Sequence, residues 1–431
     1  MRRCRNAAAL LHDFNRRGAL SEYTGTTVMT DDMIFEPQHA NFSRVSVADD
    51  TAAISEHKVL RFSPPVRREI RRIIRAYPRA NDLCETFPGM LYALAVRHGP
   101  PSQRLSALNA IEGGAPLKLV ARTLGLPMWL RKLPPEAFGE IGPDLPLSTT
   151  FARQIAHRLP RTSEEARTWF KSVQFAHRAC GEDFALWLAA QPIYGTDMEP
   201  TRSLCVLAAY AWYSGQPETE AHKLIVVPWR SEIAFDTALC AAKSWFNRMR
   251  LVLQMPPGAV RDPWLKPGQA LGYSIDPLLD ADALLKEAAA MHNCADQYAE
   301  RIVRDRCRLF SIKKNGLRIA TLEIGQHMRE GGVLAINQLK ARHNMAASGE
   351  VWQAAYAWMA TQTALRRLPP LASPESIWDQ SAWWSLLTPY RNAHAGSPWF
   401  EQNASHLFFA SLDIDLTDLA RRGGVSSWLF T

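Results

Sequence analysis

The chain lacks any long apolar run: none approaches the roughly 18–20 residues a membrane-spanning helix needs. It lacks a CxxC pair as well. Its seven cysteines, Cys4, Cys84, Cys180, Cys205, Cys240, Cys294 and Cys307, are scattered and odd in number. That pattern argues against a disulfide framework and for a reduced, cytoplasmic protein. Met1-Arg2-Arg3-Cys4-Arg5 mimics the basic start of a signal peptide, but the apolar stretch from Ala7 stops at His12 and Asp13, too soon for one. No Walker loop, GxSxG, HExxH or GxGxxG fingerprint is present, so the best-marked enzyme classes lose their signature. Charge is not strongly one-sided either. Fifty basic residues against 42 acidic ones leave +8, which permits contact with nucleic acid only if placement concentrates it. No membrane partner is expected.

With 431 residues, 47% of them hydrophobic and 21% charged, the chain can bury a sizeable core and is not disordered as a whole. Composition divides it into four regions: a polar arm over residues 1–60, a helical region over 61–278, an α+β module over 279–350, and helices again over 351–431. From Pro64 the spacing predicts a helix opened by proline. Ile70, Ile73 and Ile74 share one face, and Arg67, Arg68, Arg71, Arg72 and Arg75 occupy the rest. Those arginines are candidate nucleic-acid contacts, and they equally suit a solvated face on a helix packed through its isoleucines. Residues 83–275 read as helices separated by proline breaks, without a fixed repeat.

Fourteen tryptophans lie between Trp129 and Trp428; dispersed in this way, they suit packing between helices better than a stacking platform for bases. Trp383 and Trp384 point about 100° apart on a helix, so at most one of them is buried. Val351 to Leu368, Glu375 to Leu387 and Asp415 to Arg422 are the expected C-terminal helices.

The chemistry gathers in the third region. Asp280 to Val303 is expected as one helix, capped by Asp280 or Asp282, with His292 and Cys294 near opposite borders of its apolar arc. Asn315-Gly316 between two alternating segments predicts a two-residue hairpin. That loop sets Lys314 opposite Leu317, Ile312 opposite Ile319, Phe310 opposite Thr321, and Arg308 opposite Glu323. Phe310, Ile312, Ile319 and Thr321 would then pack on the helix, with Glu323 at the end of the same face. A third strand, Val333 to Lys340, places Gln338 with Leu334 and Ile336, and His343-Asn344 follows.

His-Asn-Cys followed by Tyr, a hairpin ending Thr-Leu-Glu, and a further strand with Gln and then Asn resembles the PcfJ-like family of conjugative plasmids and other mobile elements. The likeness runs from about Ala281 to Asn344 through His292, Cys294, Tyr298, Glu323, Gln338 and Asn344. It implies a mobile-element setting and supplies no reaction. Asp305-Arg306 stands where family members often have glycine, so the turn into the first strand is expected to differ.

Four chemistries compete. A Cys294 nucleophile activated by His292 fails on a continuous helix, where residues two apart do not face each other; it needs a break at Asn293. Zinc held by His292, Cys294, Cys307, His327 or His343 lacks finger spacing, and no metal or cofactor is expected. A His292–Glu323 acid/base pair, with Tyr298 or Gln338 orienting substrate, would act on a phosphodiester without a metal. The fourth is a buried polar network that locks helix to sheet, with Arg308 pairing Glu323 across the strands.

The expected fold is therefore α+β and predominantly α-helical: a multi-helix N-terminal region, a small helix plus three-stranded antiparallel sheet module, and C-terminal helices. The expected function is a cytoplasmic, mobile-element enzyme acting on nucleic acid with His292 and Glu323 central. The alternative is a non-catalytic binding or scaffolding module for plasmid-transfer or defence proteins.

Overall fold

The structure, a computed structural model, describes residues 56–142, 145–160, 162–195, 197–256, 258–367 and 378–426. The expected arm over residues 1–60 lies outside them except for its last five. The chain divides into a unit over residues 1–54 and another over residues 55–431, and the second is described here.

The basic helix forms as its proline predicts. α1 (Pro64–Ala76) starts with proline in its first turn and buries Val66, Ile70, Ile73 and Ile74. Most of its arginines are spent locally. Arg67 donates to the carbonyls of Phe62 and Leu60 at 2.8 and 2.7 Å, Arg71 pairs with Glu56, and Arg72 with Glu69. Arg68 and Arg75 make no ion pair among the described residues.

The middle of the helical region is built on α2 (Ser163–Cys180) and α3 (Phe235–Gln254). The Thr162 hydroxyl caps α2 by accepting from the Glu165 amide, and Gly181 at φ 99° ends it. Trp169, Phe170, Val173 and Ala176 pack its buried face, with Trp129 edge-on to both aromatic rings. α3 buries Trp245, Phe246 and Met249 among helices, and its last turn carries Leu251 into a second core.

That second core is one side of an antiparallel sheet in the order β1-β2-β3-β4-β5. β1 (Gly268–Ala270) and β2 (Tyr273–Pro277) precede α4 (Ala281–Met291) and the short α5 (Ala299–Val303). β3 (Cys307–Lys314), β4 (Leu317–Gln326) and β5 (Leu334–Ala341) follow. The sheet thus has five strands where three are expected. The added hairpin turns at Leu271 (φ 49°) and Gly272 (φ 80°), a two-residue loop hidden by its short strands and by the helices before it.

The 315–316 hairpin keeps its expected register for only two pairs. Lys314 faces Leu317 and Lys313 faces Arg318, then a bulge leaves Ile319 over, and Ile312 pairs with Ala320. Phe310 therefore faces Leu322, Leu309 faces Glu323, and Arg308 faces Ile324. The expected opposition of Arg308 and Glu323 is corrected by one residue.

The physical reason is visible in β4, where Ala320, Leu322 and Ile324 alternate with Thr321 and Glu323. Only an odd insertion brings that apolar set onto the face of Phe310 and Ile312. This apolar face packs on α6 (Gly349–Ala360) through Val351, Ala354, Ala355 and Trp358. The opposite face, with Cys307 and Leu309, packs on Leu284, Ala288 and Ile302. Phe310 and Ile312 thus lie against α6 and not against the helix before the hairpin.

α7 (Gln380–Ala393) and α8 (His406–Arg422) complete the described fold. Pro389 lies inside α7 rather than beyond it. The Tyr213 hydroxyl donates to the Leu386 carbonyl at 2.5 Å and accepts from the Tyr390 amide at 3.3 Å, so it ties backbone groups on both sides of the proline. Trp383 is buried while Trp384 is 40% exposed, as their spacing predicts.

Candidate polar site at the helix–sheet junction

α4 does not run on to Val303. Asp280 caps it, accepting from the Ala283 amide at 2.7 Å. It stops after Met291 because His292 takes the left-handed conformation, φ 48°. The amides of both His292 and Asn293 turn back to the Ala288 carbonyl. Asn293 explains the break. Its side-chain oxygen accepts from the Ala295 amide at 3.1 Å, and its amide donates to the Thr321 hydroxyl at 2.8 Å. A side chain that ties itself to the next turn and to the sheet competes with the helix ladder.

From Asn293 a row of polar contacts crosses the sheet. The Thr321 hydroxyl donates to Glu287 at 2.7 Å, and Arg318 reaches the same carboxylate at 2.8 Å. Glu287 is fully buried on α4. The bulge at Ile319 puts Arg318 and Thr321, three residues apart, on one face, so both reach it.

Two residues along β4, Glu323 is 3% exposed and saturated. Tyr298 donates to its Oε2 at 3.0 Å, Arg301 pairs with both oxygens, and the Asn337 side-chain amide stands 3.5 Å from Oε1. The Arg301 guanidinium also lies over the Tyr298 ring, 4.9 Å from its centre. Burial first, then the neighbouring Glu323 carboxylate, push the Tyr298 phenol far above its usual range, so it remains a donor. Against the opposing effect of burial, the hydrogen bond to Glu323 holds the Arg301 guanidinium above its usual value.

Gln338 is Glu323's cross-strand partner on β5 and is exposed, and Asn337 beside it is the extra residue of a second bulge. Asn337 reaches over Gly325, where a Cβ would meet its amide nitrogen at 2.0 Å. Arg308, the partner expected for Glu323, turns to the other face. It pairs with Asp305 and donates to the carbonyls of Asp262, Ile302 and Cys307. Its guanidinium lies over Trp264, and Arg367 stacks on the same ring.

His292 stands apart from Glu323, with different partners. It is exposed, its Nε2 lies 2.7 Å from the Arg342 Nη2, and its ring stacks on His343 with centroids 4.8 Å apart and planes 20° apart. His292 and Glu323 make no direct bond, so the expected acid/base pair does not assemble. The chain does break beside Asn293, as the Cys294–His292 dyad requires. Cys294, half-buried, precedes only a three-residue turn, Ala295–Gln297, and the His292 Nε2 is taken by Arg342. Asn344, half-buried at φ 55°, and His343 at φ 58° form the turn leaving β5.

Cys307 lies buried in β3, its thiol pushed up to about 12 by burial. Among the described residues no three His, Cys, Asp or Glu side chains are placed to share a metal ion. The α1 arginines belong to another part of the fold, where Arg67, Arg71 and Arg72 are engaged locally.

Three members of the site escape a reading by motif, Glu287, Arg301 and Arg318, while Asn293 stands inside the His-Asn-Cys motif. The signals are there, since Glu287 falls on the buried stripe between Leu284 and Met291, and Arg301 follows Tyr298 by one helical turn. Compared with family models, with curated proteins and with solved structures, this chain matches none.

Proposed function

We propose that the chain acts by binding and not by turnover, as a non-catalytic module of a mobile element with nucleic acid as its partner. The observation that carries this reading is the state of Glu323: sealed from solvent and held by Tyr298 and Arg301, while His292 faces outward in other company. A general acid or base must reach the proton it moves, within hydrogen-bond distance or through one water. A carboxylate enclosed this way serves instead to fix α5 on the sheet.

The nucleic-acid assignment rests on charge and its placement. The chain carries +8, and Arg342, His292, His343 and Lys340 line the turn that leaves β5 beside α4. The mobile-element setting is supported by the resemblance of residues 281–344 to the PcfJ-like proteins. Helical, tryptophan-rich surfaces give a protein partner little support, because Trp384 alone among the described tryptophans is classed as exposed.

Fluorescence anisotropy of labelled single-stranded DNA and RNA over a salt series tests the reading. We expect saturable binding at about 50 mM salt that weakens linearly on a log–log plot, with a slope near −0.7 per phosphate contact. Absence of binding at that salt to either strand removes nucleic acid as the partner.

A further inference from the structure

We propose that His292, Arg342 and His343 form a phosphate-binding site on the turn after β5. This rests on the nucleic-acid reading only for the source of the phosphate; the site itself rests on the geometry that follows. Arg342 directs one guanidinium nitrogen at the His292 Nε2, 2.7 Å away. An imidazole nitrogen can accept that bond only when it carries no proton, so the contact fixes a neutral His292 with its hydrogen on Nδ1. Burial, then the Arg342 charge, then His343 hold His292 below its usual pKa, in the same sense.

A guanidinium normally finds a carboxylate, and this one has none among the described residues. The buried carboxylates of α4 and β4 are already committed. On α4, Glu287 is taken by Arg318 and Thr321; on β4, Glu323 is taken by Arg301 and Tyr298. Lys340 of β5 adds a further positive charge, and its partner in the sheet is Thr321. The turn therefore gathers an arginine and two stacked imidazoles with no negative charge assigned to them.

The planar fork of Arg342 retains donors that suit two oxygens of a phosphate. A dianion there would also favour protonation of His292, which converts the imidazole from acceptor of the Arg342 bond into a second donor to the anion. His292 (φ 48°), His343 (φ 58°) and Asn344 (φ 55°) are all in the left-handed region that non-glycine residues seldom adopt, so backbone strain collects at this same place.

The test uses the full chain and proton–carbon NMR of the histidine ring signals, titrated with inorganic phosphate, a nucleoside monophosphate and a 5′-phosphorylated oligonucleotide. We expect saturable shifts confined to His292 and His343. Phosphate should raise the pKa of His292, and Arg342→Gln should weaken binding at least about tenfold while the unfolding midpoint stays unchanged. A second variant, His343→Asn, should weaken it as well.

The site is overturned if phosphate shifts neither ring, or shifts both equally in folded Arg342→Gln. It is equally overturned as a phosphate site if an acidic peptide shifts the rings as strongly. Ring shifts with phosphate but no binding of any oligonucleotide support the site and count against the nucleic-acid reading. Oligonucleotide binding with silent rings supports that reading and removes the site.

Discussion

Glu323 shows at the level of one residue what burial does to chemistry. Strand parity sets it on the face opposite to Ala320, Leu322 and Ile324, and its burial there comes from the helices that cover that second face, which parity alone does not reveal. Its partner is not legible, because the bulge at Ile319 moves Arg308 to the other face and Arg301 enters from a separate short helix. Replacing Glu323 by Gln keeps the bond from Tyr298 and removes the ion pair. Breaking a buried pair costs about 3–5 kcal/mol, but Arg301 is 44% exposed, so a loss of about 1–3 kcal/mol in chemical denaturation is expected.

Burial acts on thiols in the same way. Cys307, pushed up to about 12, and Cys84, pushed up to about 11, should resist maleimide at pH 8 in the native protein and label only on unfolding. His292 supplies a pH dependence of definite sign. Its folded pKa lies below the unfolded value of about 6.5, so the folded state prefers the neutral ring. Its contribution is complete above that value and is lost as pH falls from there through the folded pKa. Burial shifts His98 and His394 the same way. The informative comparison is therefore with His292→Asn, whose thermal midpoint should fall less between pH 7.5 and 5.5 than that of the wild type.

Among the elements, the ones most legible in the sequence are those whose local signals agree. Pro64 opens α1 where its spacing says, Asp280 caps α4, and Asn315-Gly316 closes a two-residue hairpin. Three differences share one cause: a side chain making a tertiary bond overrides the local pattern. Asn293 ends α4 by bonding to Thr321, Asn337 bulges β5 while leaning over Gly325, and Tyr213 bonds backbone on both sides of Pro389 inside α7. The last is testable. Tyr213→Phe leaves the Tyr390 amide and the Leu386 carbonyl without their buried bridge, which should cost about 1–3 kcal/mol in urea unfolding, with helix content preserved. An unchanged midpoint would mean that the bridge does not hold the helix.

The molecule from residue 55 onward does not divide at the edges of its polar module. Residues 279–350 contain α4 and three strands, but β1 and β2 extend the sheet before them and α6 covers its apolar face after them. Leu251 and Met255, at the end of α3, complete the opposite face. A fragment limited to residues 279–350 should therefore show no cooperative thermal transition by circular dichroism.

The arrangement sets Glu287 and Glu323 inside and a cationic turn at the margin. That division of labour is the basis on which binding without turnover is proposed. Single-turnover incubation of labelled DNA and RNA with excess protein tests it most directly, using wild type beside folded His292→Ala and Glu323→Gln. The account predicts strands that are bound and chemically unchanged in all three. A product formed by the wild type and lost in both variants would contradict it.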